Sequence, residues 1–153
     1  MTPGRGLESE FHAADESPGF LLWQVTNRWQ ASQRAALKPL GLTHVQFVLL
    51  ASLAWLRTDG PLHQRDLSEH AGTDPMTTSQ VLRSLEGRGL VERTTDPDDR
   101  RARTVAVTPG GRDLANRANV VVEACDSSFF ESIGDRAGLL ELLLLLRAGS
   151  ARA

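Results

Sequence analysis

Met76, Thr77, Ser79, Gln80 and Arg83 have the types and spacing to read the edges of DNA bases. At 100° per residue, Met76, Gln80 and Arg83 share one side of a helix, flanked by Thr77 and Ser79, while Thr78, Val81, Leu82 and Leu85 face inward. In the major groove a glutamine pairs with adenine and an arginine with guanine. An ordinary surface helix, polar outside for solubility, has the same pattern, so the helix alone leaves both readings open. A second group follows at Arg100, Arg101 and Arg103, beside a turn rich in Asp with Pro97. Arginines at such a tip reach phosphates or a narrow minor groove. Asp98 and Asp99 would repel a DNA backbone, so their expected role is to hold the turn in shape, with Asp99 paired to Arg101.

Other chemistries find little support. His12, His44, His63 and His70 are scattered, and the last two are seven residues apart, about 10 Å along a helix, too far to share a metal. No glycine-rich phosphate loop or nucleophile motif occurs, and a lone Cys125 makes neither an internal disulfide nor a cysteine metal cluster. The chain is therefore expected to lack catalytic residues, metal ligands and cofactors.

The elements that must position these residues have clear punctuation. Ser17 and Pro18 start a helix expected over residues 18–37, with Leu22, Val25, Trp29 and Ala36 along one side and Phe20, Trp23 and Asn27 on another. Thr43 and Gln46 form a capping box, with Leu42 and Phe47 as its hydrophobic staple. The helix they start, carrying Leu49, Leu50, Leu53 and Trp55, is apolar nearly all round and is expected to be buried on most sides. Asp59, Gly60 and Pro61 make a turn, Leu62 starts a short strand, and residues 64–71 form a brief helix ended by Gly72. Thr73 or Asp74 then caps the helix that carries the base-reading candidates, so helix, glycine turn and helix follow in order. Residues 90–94 and 104–107 read as two strands of a hairpin, a wing beside the helix-turn-helix. Thr108 and Pro109 open a long helix with Leu114, Ala118, Val121, Cys125 and Phe129 along one stripe, and Gly134 and Asp135 lead into a last one.

Charge supports this placement more than the total does. The 153-residue chain has a net charge of −2, with 41% hydrophobic and 24% charged residues, near the averages for a globular protein. Residues 75–112 nevertheless hold seven arginines against five acids, whereas residues 1–20 hold one arginine against four acids. The longest apolar run, residues 139–146, contains Glu141 and falls short of the roughly 20 residues of a membrane span. No apolar signal segment is evident near Met1, so a cytoplasmic location and no membrane partner are expected.

The segments GLTHVQFVLLASL, LHQRDLSEHAGTDPMTTSQVLRSLEGRGLVER and DPDDRRARTVAVTPGGRDL together resemble the MarR-type family of bacterial transcriptional regulators. The resemblance spans residues 20–146. Its most specific parts are Gly41, Leu42 and Thr43 with Gln46, the stretch 85–93, and the pattern of Asp99, Arg101 and Thr108. It implies a mostly α fold with a small β-hairpin wing, a winged helix-turn-helix whose N- and C-terminal helices form a dimerisation base. It also implies a homodimer that grips double-stranded DNA at a palindromic operator. Met76, Thr77, Ser79, Gln80 and Arg83 match the family's recognition-helix positions, and Arg101 its wing arginine with Asp99 as partner. Departures are His63, where a Thr or Ser cap is common, and Ala71, where a larger aliphatic is common.

Many members are repressors released by small, often aromatic, anions bound between dimer base and winged lobe. Trp23, Asn27 and His44 are the matching candidates for an effector site, although a Trp at helical spacing also fits a core and His44 an exposed helix start. Redox sensing is not expected, since Cys125 sits on an apolar stripe as a small hydrophobe. The expected organisation is a flexible arm (1–16), N-terminal helices (17–58), the winged DNA-binding region (59–108) and C-terminal dimerisation helices (109–149). The alternative is a winged-helix scaffold that binds ligand or protein without strong DNA affinity, which the low net charge alone favours.

Overall fold

The structure, a computed structural model, describes residues 6–56 and 60–150, with the side chain of Ser150 left aside. Residues 1–5 of the expected arm, the boundary at residue 58 and Asp59 of the expected turn lie outside the described residues. Among the described residues, six α-helices and three strands follow a 3-10 turn at Ala14–Glu16, and a second 3-10 turn, Lys38–Leu40, follows the first helix: α1 (Pro18–Leu37), α2 (His44–Trp55), β1 (Leu62–His63), α3 (Gln64–Ala71), α4 (Pro75–Gly87), β2 (Val91–Thr95), β3 (Arg103–Val107), α5 (Pro109–Phe129) and α6 (Arg136–Ser150). The chain is mostly α with a winged helix-turn-helix at its centre.

Capping explains where the helices begin. Ser17 Oγ accepts the Phe20 N–H at 3.2 Å, and Pro18 occupies the first helical position. Thr43 caps α2 from just outside it: its Oγ1 accepts the Gln46 N–H at 3.2 Å, and Gln46 Oε1 accepts the Thr43 N–H at 3.0 Å. Asp74 caps α4 by accepting the Thr77 N–H at 2.9 Å, and Thr108 caps α5 by accepting the Gly111 N–H at 3.0 Å. His63 precedes α3 without a side-chain cap bond, in keeping with its departure from the usual Ser or Thr.

The strands form one antiparallel sheet in the order β1-β3-β2, with Leu62 opposite Val105 and Arg93 opposite Val105 on the other side. Leu37, Leu49, Leu50, Leu67, Leu82 and Leu85 are fully buried, and Val91 and Val105 close the core from the sheet. Helix α5 lies across α1 and α2 and brings Leu114, Ala115, Ala118 and Val122 to that core. Its first turn approaches the end of α4 so closely that a Cβ at Gly111 would run into the Leu90 carbonyl. Only glycine fits there.

One expectation about burial needs correction. Trp55 was expected inside with the rest of α2 but is 81% exposed. It follows the buried Leu53 by two residues, or about 200° of helix rotation, which turns it away from the core. Helix α1, whose two apolar sides call for two partners, buries Leu37 and the polar Gln33, while Phe20, Leu21, Leu22, Trp23 and Val25 are exposed in the single chain. Leu140 and residues 142–146 of α6 are exposed as well. Among the described residues no single helix is long and apolar enough to cross a membrane.

Candidate nucleic-acid interface

Three hydroxyls fix the angle between α3 and α4. Thr78, fully buried on the inner side of α4, bonds through Oγ1 to Ser68 Oγ at 3.1 Å and Thr73 Oγ1 at 2.9 Å, and donates to the Asp74 carbonyl at 2.9 Å. Ser68 Oγ donates to the Thr73 carbonyl at 2.6 Å. Gly72, at φ +67°, ends α3 in a conformation that glycine adopts without the Cβ penalty. The hydrogen bonds from Thr77 hold the Asp74 carboxyl below the usual carboxylate range, as suits an anion at a helix N-terminus.

With its inner arc anchored by Thr78, Leu82 and Leu85, α4 turns Met76, Gln80 and Arg83 outward, and Met76 is 72% exposed. Thr77 and Ser79 flank them, half-buried. The structure thus brings the five base-reading candidates onto one surface.

The wing tip is built by its acids. Asp96 Oδ1 accepts the Asp98 N–H at 2.8 Å, Asp99 Oδ1 accepts the Arg101 N–H at 3.0 Å, and backbone bonds of 3.0 Å run from Asp96 N–H to the Ala102 carbonyl and from Ala102 N–H to the Asp99 carbonyl. The expected side-chain pairing of Asp99 with Arg101 is therefore corrected. Among the described residues no ion pair joins their side chains; Asp99 instead takes the backbone amide of Arg101, which stabilises the turn and leaves the Arg101 guanidinium outside it. Arg100, Arg101 and Arg103 are all exposed. His63 Nε2 approaches Asp96 Oδ2 at 3.4 Å and ties the wing to the start of α3. A cavity of about 690 Å³ opens between α3, the first turn of α4 and the wing, with Gln64, Arg65, Thr73, Pro75, Arg101 and Arg103 in its lining.

The three effector candidates are not gathered in the single chain. Trp23 is 67% exposed, and Asn27 Nδ2 donates to the Trp23 carbonyl at 2.7 Å along the exposed part of α1. His44, half-buried, meets Trp29 edge-on with ring centroids 5.0 Å apart. Trp23 precedes Trp29 by six residues, about 9 Å of helix axis. A different polar group surrounds His44. Trp29 Nε1 and Gln33 Nε2 both donate to Asp126 Oδ1 of α5, at 2.8 and 2.6 Å, and the Oε1 of the fully buried Gln33 has no partner among the described residues. Burial and the Arg34 charge lower the His44 pKa, with Asp126 acting the other way. The sequence signals for this group are slight: Trp29 and Gln33 are one turn apart, and Asp126 is an acid beside an apolar stripe.

Sequence reasoning also missed the bonds that join α4 to its surroundings. Gln46 Nε2 donates to Ser84 Oγ at 3.1 Å, Arg88 Nη1 to the Gly41 carbonyl at 2.8 Å, and Arg93 Nη1 to the Ser79 carbonyl at 3.3 Å.

Comparison with known proteins points the same way. The profile described as the MarR family matches residues 42–102. The HTH-type transcriptional regulator YdcH of Bacillus subtilis is 39% identical over 140 residues, 88% of this chain and 95% of its own. The fold resembles CouR from Rhodococcus jostii bound to p-coumaroyl-CoA, at 34% identity and a TM-score of 0.75, covering 88% of this chain and 93% of CouR. It also resembles the transcriptional repressor CouR bound to a 23-mer DNA duplex, at 26% identity and a TM-score of 0.76, covering 94% of this chain and 99% of that one.

Proposed function

The chain belongs to the MarR family and is a transcriptional regulator, not an enzyme; from that premise we propose that it is a homodimeric repressor that grips a palindromic operator and releases it on binding a small aromatic effector. The observation that carries this reading is the pairing of two surfaces. The outer face of α4 offers Met76, Gln80 and Arg83, and the wing offers Arg100, Arg101 and Arg103 after turning Asp96 and Asp99 onto its own backbone. The first set has the donors and acceptors for base edges, the second the charge for phosphates. CouR in complex with duplex DNA supports the same use of the fold.

Dimerisation follows from what the single chain leaves uncovered. The exposed apolar residues of α1 and α6 exceed what a solvated monomer usually presents, and a two-fold axis through such a base places two α4 helices on successive half-sites. Trp23 and Asn27 lie on that uncovered part of α1, so in this reading a second copy completes their side of an effector site while Trp29 and His44 form the other. An aromatic effector is supported by CouR, whose ligand carries a p-coumaroyl group. Pressure on His44 reaches α4 by a short route, because Gln46 in the same turn bonds to Ser84.

The test is fluorescence-anisotropy binding of the full-length protein to duplexes that it selects from a random-sequence pool. Preference for a two-fold symmetric sequence supports the reading, and equal binding to selected and scrambled duplexes overturns it.

A further inference from the structure

Arg93 is a charged residue in the middle of the wing, yet it bonds to α4 at two places, the Ser79 carbonyl and the Glu86 carboxylate. It stands at the centre of β2, opposite Val105. Its backbone N–H donates to Glu86 Oε2 at 3.2 Å, and its Nη1 donates to the Ser79 carbonyl at 3.3 Å. Ser79 and Glu86 are seven residues apart on α4, two turns or about 10 Å of helix axis. One residue of the wing thus holds the helix at two points along its length, which restricts both its rotation and its tilt against the sheet.

Stability alone is a poor reason for this arrangement. Among the described residues the buried Arg93 Nε has no acceptor, and Arg83 and Arg103 repel the guanidinium while Glu86 attracts it. A well-packed apolar side chain would avoid the desolvation cost, whereas a charged group with directed bonds favours one orientation over its neighbours. The same two arginines are a recognition-helix candidate and a wing candidate, so Arg93 lies between the groups whose relative placement matters.

We infer that Arg93 is a positioning residue for sequence readout, setting the orientation of α4 against the wing so that Gln80 and Arg83 meet base edges while the wing meets phosphates. Arg93 itself touches no base. The inference rests on the DNA-reading function proposed above.

The experiment compares wild type, Arg93→Gln and Arg93→Lys, all full length, on the duplex selected by wild type and on a scrambled duplex, over a series of salt concentrations, with Tm measured alongside. Arg93→Gln is expected to reduce the ratio of selected to scrambled affinity by roughly tenfold, with the salt slope unchanged. Arg93→Lys should recover much of the Tm and little of the ratio, because an ammonium lacks the planar fork of directed donors. An unchanged ratio with the salt slope lowered by about 0.9 would make Arg93 a phosphate contact, and an unchanged ratio with only the Tm lowered would make it structural; either overturns the inference. Should Arg93→Gln fail to fold, an unchanged ratio in Arg93→Lys overturns it as well. If wild type itself prefers no selected duplex, the DNA-reading function fails, and this inference with it.

Discussion

Gln46 Nε2 donates to Ser84 Oγ across 3.1 Å, so the capping box that starts α2 is also bonded to α4, one residue from Arg83. The two jobs of Gln46 separate by mutation. Gln46→Ala loses half the capping box as well as the bond to α4 and should lower stability by about 1 kcal/mol in urea unfolding at fixed protein concentration. Ser84→Ala loses only an exposed hydrogen bond, worth about 0.5 kcal/mol, but under the function proposed above it should weaken the response of DNA binding to a small aromatic effector. Equal effector response in wild type and Ser84→Ala would show that this bond carries no coupling.

Asp99 separates two ways of holding a wing. Because its Oδ1 accepts the Arg101 backbone amide, Asp99→Asn keeps the acceptor and should retain most DNA affinity, whereas Asp99→Ala should lose it several-fold. An ion-pairing role would instead make the two variants equally weak. Anisotropy titrations at a single salt concentration decide between these outcomes.

His44 makes stability depend on pH in a defined sense. Its folded pKa lies below the ordinary value of 6.5, chiefly through burial and then the Arg34 charge. The unfolded chain therefore takes up this proton first as pH falls. The stabilisation is complete above about pH 6.5 and is lost as pH falls from there toward the folded pKa. His44→Gln should flatten urea-unfolding stability across that window, and an equally steep loss in the variant would assign the dependence to other groups.

The dimer base is testable without touching the DNA-binding surface. Leu142 and Leu146 are exposed in the single chain and one turn apart on α6. The double substitution to Glu should give a monomer in sedimentation velocity with helical content retained, and operator affinity should fall by more than tenfold as one half-site is lost. A dimer that persists in the double variant would place the interface elsewhere.

Much of this fold is written in local signals. Helices α1 and α3 begin and end where Ser17, Pro18 and Gly72 place them, and the Thr43 and Gln46 box forms as two reciprocal bonds. The outward and inward faces of α4 also follow directly from helical spacing, because a single amphipathic helix packs on one side only. Trp55 shows the limit of that reasoning. A helix apolar all round gives no period to say which residue is left outside. The polar groups that meet across the chain were illegible for another reason: Gln33 and Asp126 are separated by 93 positions, and nothing in either neighbourhood names the other. Asp99 and Arg101 were read as a charge pair from their types, but a side chain two residues away in a tight turn reaches the backbone amide first.

The central claim, that α4 reads sequence while the wing supplies charge, is tested most directly by measuring the affinity of Gln80→Ala, Arg83→Ala and Arg101→Ala for the selected duplex and its single-base variants as a function of salt. The account predicts that Gln80→Ala and Arg83→Ala each lose discrimination at one position of a half-site, at about 1–3 kcal/mol. It predicts that Arg101→Ala weakens binding to every duplex alike and lowers the salt slope by about 0.9. Unchanged discrimination and unchanged slope in all three variants would contradict it.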